Sequence, residues 1–312
     1  MKKNWLIRDF VSHLEQRDEW FPYSRGISKL VDEGDRDFLD LSELLLGWAK
    51  EFLGENAYEI LAAGYVAFVT DVNRSQIKYE IAGHYANSNY DEVFKSVYSN
   101  EEFMRYYHWG VYVSTFAWPH HVKLAQHFRQ NFIDKYCQAD GLRVVDLGSG
   151  SGIWSFLSAF HNPSLDISAL DISSTSTANA TSMSVALGHS GAINFHEADA
   201  LKWGGDELAG TFDLGISCFL MEHLEAPGLL LQNMARLLKP RGMAFVTLAL
   251  TAAEVDHIYE FKRESEPVQL AEEAGFRVIE YQSVAPPLHN PKSRFLPRSM
   301  AMILSRREGN IW

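Results

Sequence analysis

The stretch Val144 to Trp154, VVDLGSGSGIW, holds the residues best suited to chemistry. Asp146 precedes a turn built from Gly148, Ser149, Gly150 and Gly152. The apolar run Val144 to Leu147 predicts a short buried strand, and Trp154 to Phe160 predicts a helix. A strand, a glycine turn and a helix N-terminus together cradle a nucleotide-like ligand. Glycines let the backbone approach such a ligand where a Cβ would clash. Asp146 narrows the choice, because its charge suits a cationic group and opposes a pyrophosphate. A second carboxylate, Asp171, ends the run SALDIS. It lies roughly 20 residues past the turn, where it can accept hydrogen bonds from both hydroxyls of a ribose.

The glycine spacing is G-x-G-x-G after an acidic residue, not the dinucleotide fingerprint G-x-G-x-x-G. With these motifs, residues 142–250 resemble class I S-adenosylmethionine (SAM)-dependent methyltransferases. The resemblance implies SAM as cofactor and S-adenosylhomocysteine as product. It places Ile172 beside the adenine. It sets Asp199, in HEADAL, at the adenine amino group, with Ala200 adding a backbone contact. It lays the backbone at Cys218 and Phe219 along the methionine part. Glu222-His223-Leu224 matches the EH pair of ubiquinone- and menaquinone-biosynthesis-type members, in which the histidine helps line the site. His257 and Tyr259, in DHIYEF, fall where this family places substrate-facing residues.

A hydroxyl acceptor needs a general base, and histidine titrates near neutrality. His223, His257 and His121 are the expected catalytic histidines. Trp118, Tyr259 and His108 are expected to touch the substrate, and Tyr106 or Tyr107 to close over the cofactor. No metal ligand set is expected, since Cys137 and Cys218 lack metal-ligand spacing.

These residues need elements to hold them. From residue 142 onward the chain alternates, with strands expected at 143–147, 166–170, 193–197, 212–218 and 243–249. Helices are expected at 153–161, 174–188 and 226–238. Alternation of this kind gives a parallel sheet with helices on both faces. A helix from Pro267 to Ala274 precedes FRVIEYQSV and RSMAMILSRR. In the family that last pair completes a Rossmann-like seven-stranded α/β sheet whose final strand is antiparallel. The positive run Arg294 to Arg307 reads as a strand with a solvated edge.

Residues 1–115 read as an all-helical domain and 116–312 as the SAM-binding domain. Helices are expected over Trp5 to Leu14, Asp40 to Leu53, Ala57 to Val72 and Glu101 to Phe116, with another from His120 to Tyr136. Asp40 is expected to cap its helix, and the nearly all-apolar Ala57 to Val72 to be buried. The N-terminal helices either cap the active site or form a homodimer interface.

Composition excludes several classes. The net charge of -12 and the lack of a basic stripe argue against a nucleic-acid partner. No run approaches the ~18 apolar residues of a membrane span. The N-terminus MKKNWLIRDF lacks the apolar run of a secretory signal, so a cytoplasmic location is expected. The expected activity is methyl transfer to an oxygen or nitrogen of a small molecule, in secondary-metabolite biosynthesis. Methylation of a peptide or carrier-bound intermediate, or SAM binding without catalysis, are the alternatives.

Overall fold

A computed structural model describes residues 5–94, 97, 101–287 and 292–309, the side chains of residues 101–103 and 105 excepted. The N-terminal part is helical: α1 (Trp5–Glu15), α2 (Phe21–Glu33), α3 (Arg36–Leu53), α4 (Ala57–Ala82), the short α5 (Tyr90–Val93) and α6 (Glu101–Ala117). Helix α2 was not expected; it carries Pro22 in its first turn and stops at Gly34. Helix α3 starts earlier than expected, because Asp35 rather than Asp40 caps it. The Asp35 carboxylate accepts the Phe38 N–H at 2.9 Å. Helix α4 runs ten residues past Val72 and ends at Gly83, whose φ is +81°. Only one stripe of α4, including Leu61, Ala62, Tyr65 and Phe68, is buried. Val69, Val72, Asn73 and Gln76 line a cavity instead.

Helices α4 and α6 cross with their backbones almost touching. A Cβ on Gly110 would lie 2.3 Å from the Phe68 Cβ and 2.7 Å from the Gly64 carbonyl oxygen. A Cβ on Gly64 would likewise lie 2.9 Å from both the Trp109 Cβ and the Tyr106 carbonyl oxygen. Gly110→Val is therefore expected to destabilise the protein by about 1–3 kcal/mol through overpacking. Urea denaturation checks this, and an unchanged midpoint would show that the two helices can separate freely.

The segment expected as one helix from His120 to Tyr136 changes pitch. It is α-helical in α7 (Pro119–His127), π-helical over Phe128–Ile133, and α-helical again in α8 (Asp134–Tyr136). The looser winding presents Phe128 and Phe132 to Phe245, at ring separations of 4.8 and 5.7 Å.

The remaining elements are β1 (Arg143–Leu147), α9 (Ile153–His161), β2 (Asp166–Asp171), α10 (Ser174–Ala186), β3 (Ile193–Glu197), β4 (Phe212–Cys218), α11 (Pro227–Leu237), β5 (Leu238–Leu250), α12 (Ser265–Glu273), β6 (Phe276–Val284) and β7 (Arg298–Arg306). They build a seven-stranded sheet in the order β3-β2-β1-β4-β5-β7-β6. The pairs from β3 to β5 are parallel, and β7 is antiparallel to both neighbours. This is the Rossmann-like sheet expected. One expectation fails: β7 has no solvated edge. It lies between β5 and β6 and is buried from Ser299 to Ser305. Its central residues are apolar, and the arginines sit only at its ends. The edge is β6, which exposes Ile279 and Tyr281.

Alternating strand residues feed two cores. Val144 and Phe245 join a cluster that also contains Phe10, Phe38 and Trp48 of the N-terminal helices. Val145, Ala244 and Val246 join the cluster on the opposite face with Leu230 and Met234. The first cluster crosses residue 115, which lies inside α6.

Candidate active site

A cavity of about 1550 Å³ opens above the carboxyl ends of β1, β2, β4 and β5, and the N-terminal helices roof it. The chain leaves β1 and β4 in opposite lateral directions there, the usual place for a ligand in a doubly wound sheet.

The glycine turn forms one wall. Gly148, Gly150 and Gly152 all have positive φ, at +77°, +51° and +78°. A Cβ at Gly150 would meet no protein atom within 4 Å, so the backbone here faces open cavity. At Gly148 the reason for glycine is internal, since a Cβ would lie 2.5 Å from the Leu220 side chain. The Asp171 carboxylate takes the Gly150 N–H on one oxygen and the Ser173 N–H on the other, both at 2.8 Å. It thereby ties the turn after β1 to the turn after β2. Ile172 is half-exposed on the same wall. The residues from Cys218 to Leu220 form the adjoining wall, with Phe219 at a φ of +54°.

Asp146 lies behind the turn, 1% exposed. One oxygen accepts the Ser155 hydroxyl at 2.6 Å, and the other has no partner. Burial, reinforced by the nearby Asp171, raises its pKa to about 7. The folded state thus holds this proton more tightly than the unfolded chain. The resulting stability is complete below the ordinary carboxyl pKa and is lost as pH rises through about 7. Wild-type protein is therefore expected to lose more Tm between about pH 5 and about pH 8 than Asp146→Asn does. Parallel melting curves for the two proteins would place the proton elsewhere.

Histidines and carboxylates crowd the far wall. His223 and His257 stack edge to face, 4.9 Å between ring centres. His257 Nδ1 donates to the Ala252 carbonyl at 2.7 Å, and its Nε2 lies 3.8 Å from Glu254. His223 Nδ1 lies 3.2 Å from the Asp256 carbonyl and 3.5 Å from its carboxylate. Tyr107 donates to Asp256 at 2.8 Å. Glu222 is fully buried. One of its oxygens accepts the Ala249 N–H at 3.1 Å, and the other has no partner.

The electrostatics separate the histidines. Burial lowers the pKa of His257 to about 3 and of His108 and His120 to about 4. Burial and the neighbouring His120 push His121 well below the usual value. His223 behaves oppositely: burial opposes its charge, but Asp256, Glu222 and Asp171 outweigh that and raise its pKa. Glu222 rises to about 7 through burial, and burial with the adjacent Asp256 and Glu222 pushes Glu254 well above the usual carboxylate range. Burial leaves His257, His121, His120 and His108 poorly basic at neutral pH, and for these the expectation of titration near neutrality does not hold. His223, whose pKa is raised, is the exception.

The expected site residues divide. Gly148, Ser149, Gly150, Asp171, Ile172, Cys218, Phe219 and His223 line the cavity, as do His257, His121, His108, Trp118 and Tyr107. Tyr106 is 39% exposed and lies outside that wall. Tyr259 packs on Phe261 at 4.6 Å, in the second core. Asp199 caps its own loop through the Leu201 N–H and pairs with Lys202, and neither it nor Ala200 reaches the cavity. Glu197, two residues earlier, does. Glu254 and Asp256 were not anticipated, although their spacing in EVDH beside His257 was a usable signal.

Residues 144–242 match the family described as "Methyltransferase domain", and this match together with the fold supports a class I SAM-dependent methyltransferase. Its cofactor is SAM, and the site suits it. The Gly150 backbone faces open cavity that a Cβ would fill, whereas Asp146 lies behind the turn and does not reach the cavity.

Among curated relatives, the Ubiquinone biosynthesis O-methyltransferase of Burkholderia pseudomallei is 27% identical, over 50% of this chain and 74% of that protein. The protein of the same description from Pseudomonas aeruginosa is 27% identical over 38% of this chain and 49% of its own. Among solved structures, the [4+2]-cyclase SpnF superposes with a TM-score of 0.50 at 15% identity, covering 60% of this chain and 83% of that one. That likeness concerns the fold. Among the described residues, no helix is long and apolar enough to cross a membrane.

Proposed function

We propose that this protein methylates an oxygen of a small, largely apolar molecule held between the glycine turn and the histidine–carboxylate wall. The cavity volume carries this reading. Its 1550 Å³ exceeds the roughly 300–1,000 Å³ of pockets built for one ligand. It has room for a cofactor and an acceptor together. The names of the curated relatives support oxygen as the accepting atom.

In this reading Asp171 and the Gly150 backbone hold the ribose and the nearby chain of the cofactor. Asp146, behind the turn, accepts the Ser155 hydroxyl of α9 and so supports that backbone from within. SAM supplies an electrophilic methyl on a sulfonium. The protein's share is to align the acceptor with that methyl and to keep water out, and alignment alone contributes roughly 7–11 kcal/mol. Trp118 and His121 pack at 4.9 Å, and His121 lies 4.9 Å from Phe219. They give the acceptor an aromatic floor. The helical roof favours a compact acceptor over an extended peptide.

The test uses SAM carrying an isotopic label on its methyl, with a panel of phenols and catechols and a mixed peptide pool. Label extracted with a phenolic acceptor is the expected result. Label found only on peptide, or on no acceptor despite tight S-adenosylhomocysteine binding, would overturn the assignment.

A further inference from the structure

The loop that follows β5 has no regular structure of its own. Residues 252–256 form neither helix nor strand, and the His257 N–H reaches the Glu254 carbonyl at 3.5 Å. Backbone groups in such a loop must find partners elsewhere. Side chains of the N-terminal half supply them. We propose that Gln76, Tyr85 and Asn87 are positioning residues: they fix this loop as the acceptor-facing wall, and so govern methyl transfer without holding the cofactor.

Three contacts carry this. From α4, the Gln76 side-chain oxygen accepts the Ala253 N–H at 2.9 Å. From the link between α4 and α5, the Tyr85 hydroxyl donates to the Ala252 carbonyl at 2.8 Å. The Asn87 side-chain amide donates to the Val255 carbonyl at 2.6 Å. Each contact is made to backbone, so each sets the path of the loop itself.

The Ala252 carbonyl is shared. It also accepts the His257 Nδ1 proton at 2.7 Å, and the Tyr85 ring lies 5.7 Å from the His257 ring. Holding that carbonyl therefore aims an imidazole that lines the cavity. Glu254 and Asp256 line the cavity from the same stretch of backbone.

Tyr85 and Asn87 do not line the cavity, so their influence on a bound molecule passes through the loop. Tyr85 is 6% exposed and packs on Tyr79, which stacks on Phe295 at 4.1 Å. Its hydroxyl thus has a fixed origin. The cofactor's turns are built separately. Asp171 ties the turn after β1 to the turn after β2, and among the described residues none of the three positioning side chains hydrogen-bonds to either. The role assigned here rests on the function proposed above. A displacement of about 1 Å in a reacting group costs roughly 100-fold in rate, whereas cofactor affinity has no reason to change.

Gln76→Ala, Tyr85→Phe and Asn87→Ala test this. Tyr85→Phe keeps the ring in its packing and removes only the hydroxyl. Each variant is compared with wild type by amide hydrogen exchange, by calorimetry with S-adenosylhomocysteine, and by initial rates with labelled SAM and the phenol or catechol that wild type labels fastest. Tm checks folding. Exchange over residues 250–257 is expected to be at least about tenfold faster, with the turn at 148–152 unchanged. The kcat is expected to fall at least about tenfold, with S-adenosylhomocysteine affinity within about twofold of wild type. Unchanged exchange in all three variants would overturn the proposal. So would an unchanged kcat, or a loss of S-adenosylhomocysteine affinity that matches the loss of rate. Wild type that binds S-adenosylhomocysteine but methylates no acceptor would instead sink the function proposed above, and the exchange pattern alone then decides whether the three side chains hold the loop.

Discussion

Gly150→Val is expected to abolish S-adenosylhomocysteine binding while the fold persists. The residue stands at a φ of +51°, and its Cβ direction points into open cavity. A Cβ there meets no protein atom within 4 Å, so the substitution does not press on the core. It costs about 1–2 kcal/mol for placing an L side chain in a left-handed conformation. Its two methyl groups then occupy the space where the ligand chain would lie. A loss of at least about 100-fold in affinity, roughly 2.7 kcal/mol, is expected by calorimetry. The thermal transition should remain cooperative and fall by only several degrees. Affinity within a few fold of wild type would mean that no ligand approaches this backbone.

The second large effect is expected at Asp171. Removing a charged hydrogen-bond partner costs about 1–3 kcal/mol. Asp171→Ala should reach the upper part of that range, because this carboxylate also holds the Gly150 and Ser173 N–H groups at 2.8 Å. The substitution removes a ribose acceptor and releases the turn that shapes the pocket. Asp171→Asn keeps one acceptor oxygen and should fall between wild type and Asp171→Ala. Calorimetry with S-adenosylhomocysteine distinguishes the three. Equal affinities for all of them would remove Asp171 from the binding site.

The sheet was legible because its strands are short apolar runs bounded by glycine turns, and that pattern survives any packing. The helical half was less legible. An apolar stretch such as Ala57 to Val72 shows that it is helical but not which side meets a core and which a cavity. The cap of α3 was misplaced because Asp35 and Asp40 both precede apolar helix residues. Only the hydrogen bond to Phe38 distinguishes them. Basic residues bracketing β7 suggested exposure, but strand order is a long-range property with no local trace.

At the site, Asp146, Asp171 and the glycines announce themselves by spacing within one segment. The histidine–carboxylate wall does not. Glu222 and His223 leave β4, while Glu254, Asp256 and His257 leave β5, and only the sheet brings them together. The histidine pKa values were equally hidden. Burial decides those of His257, His121, His120 and His108, and burial is not written in the nearest neighbours.

The apolar cluster that runs from the N-terminal helices into the sheet has a further consequence. Trp48 meets Phe156 and Phe160 edge-on, so α3 leans on α9, the helix that follows the glycine turn. The vault over the reacting groups and the foundation beneath them share one masonry. Exchanging the vault for one shaped to another guest would strip support from the cofactor's own seat. Evolution of a new appetite in this scaffold must then proceed by retouching individual stones, not by grafting on a different ceiling.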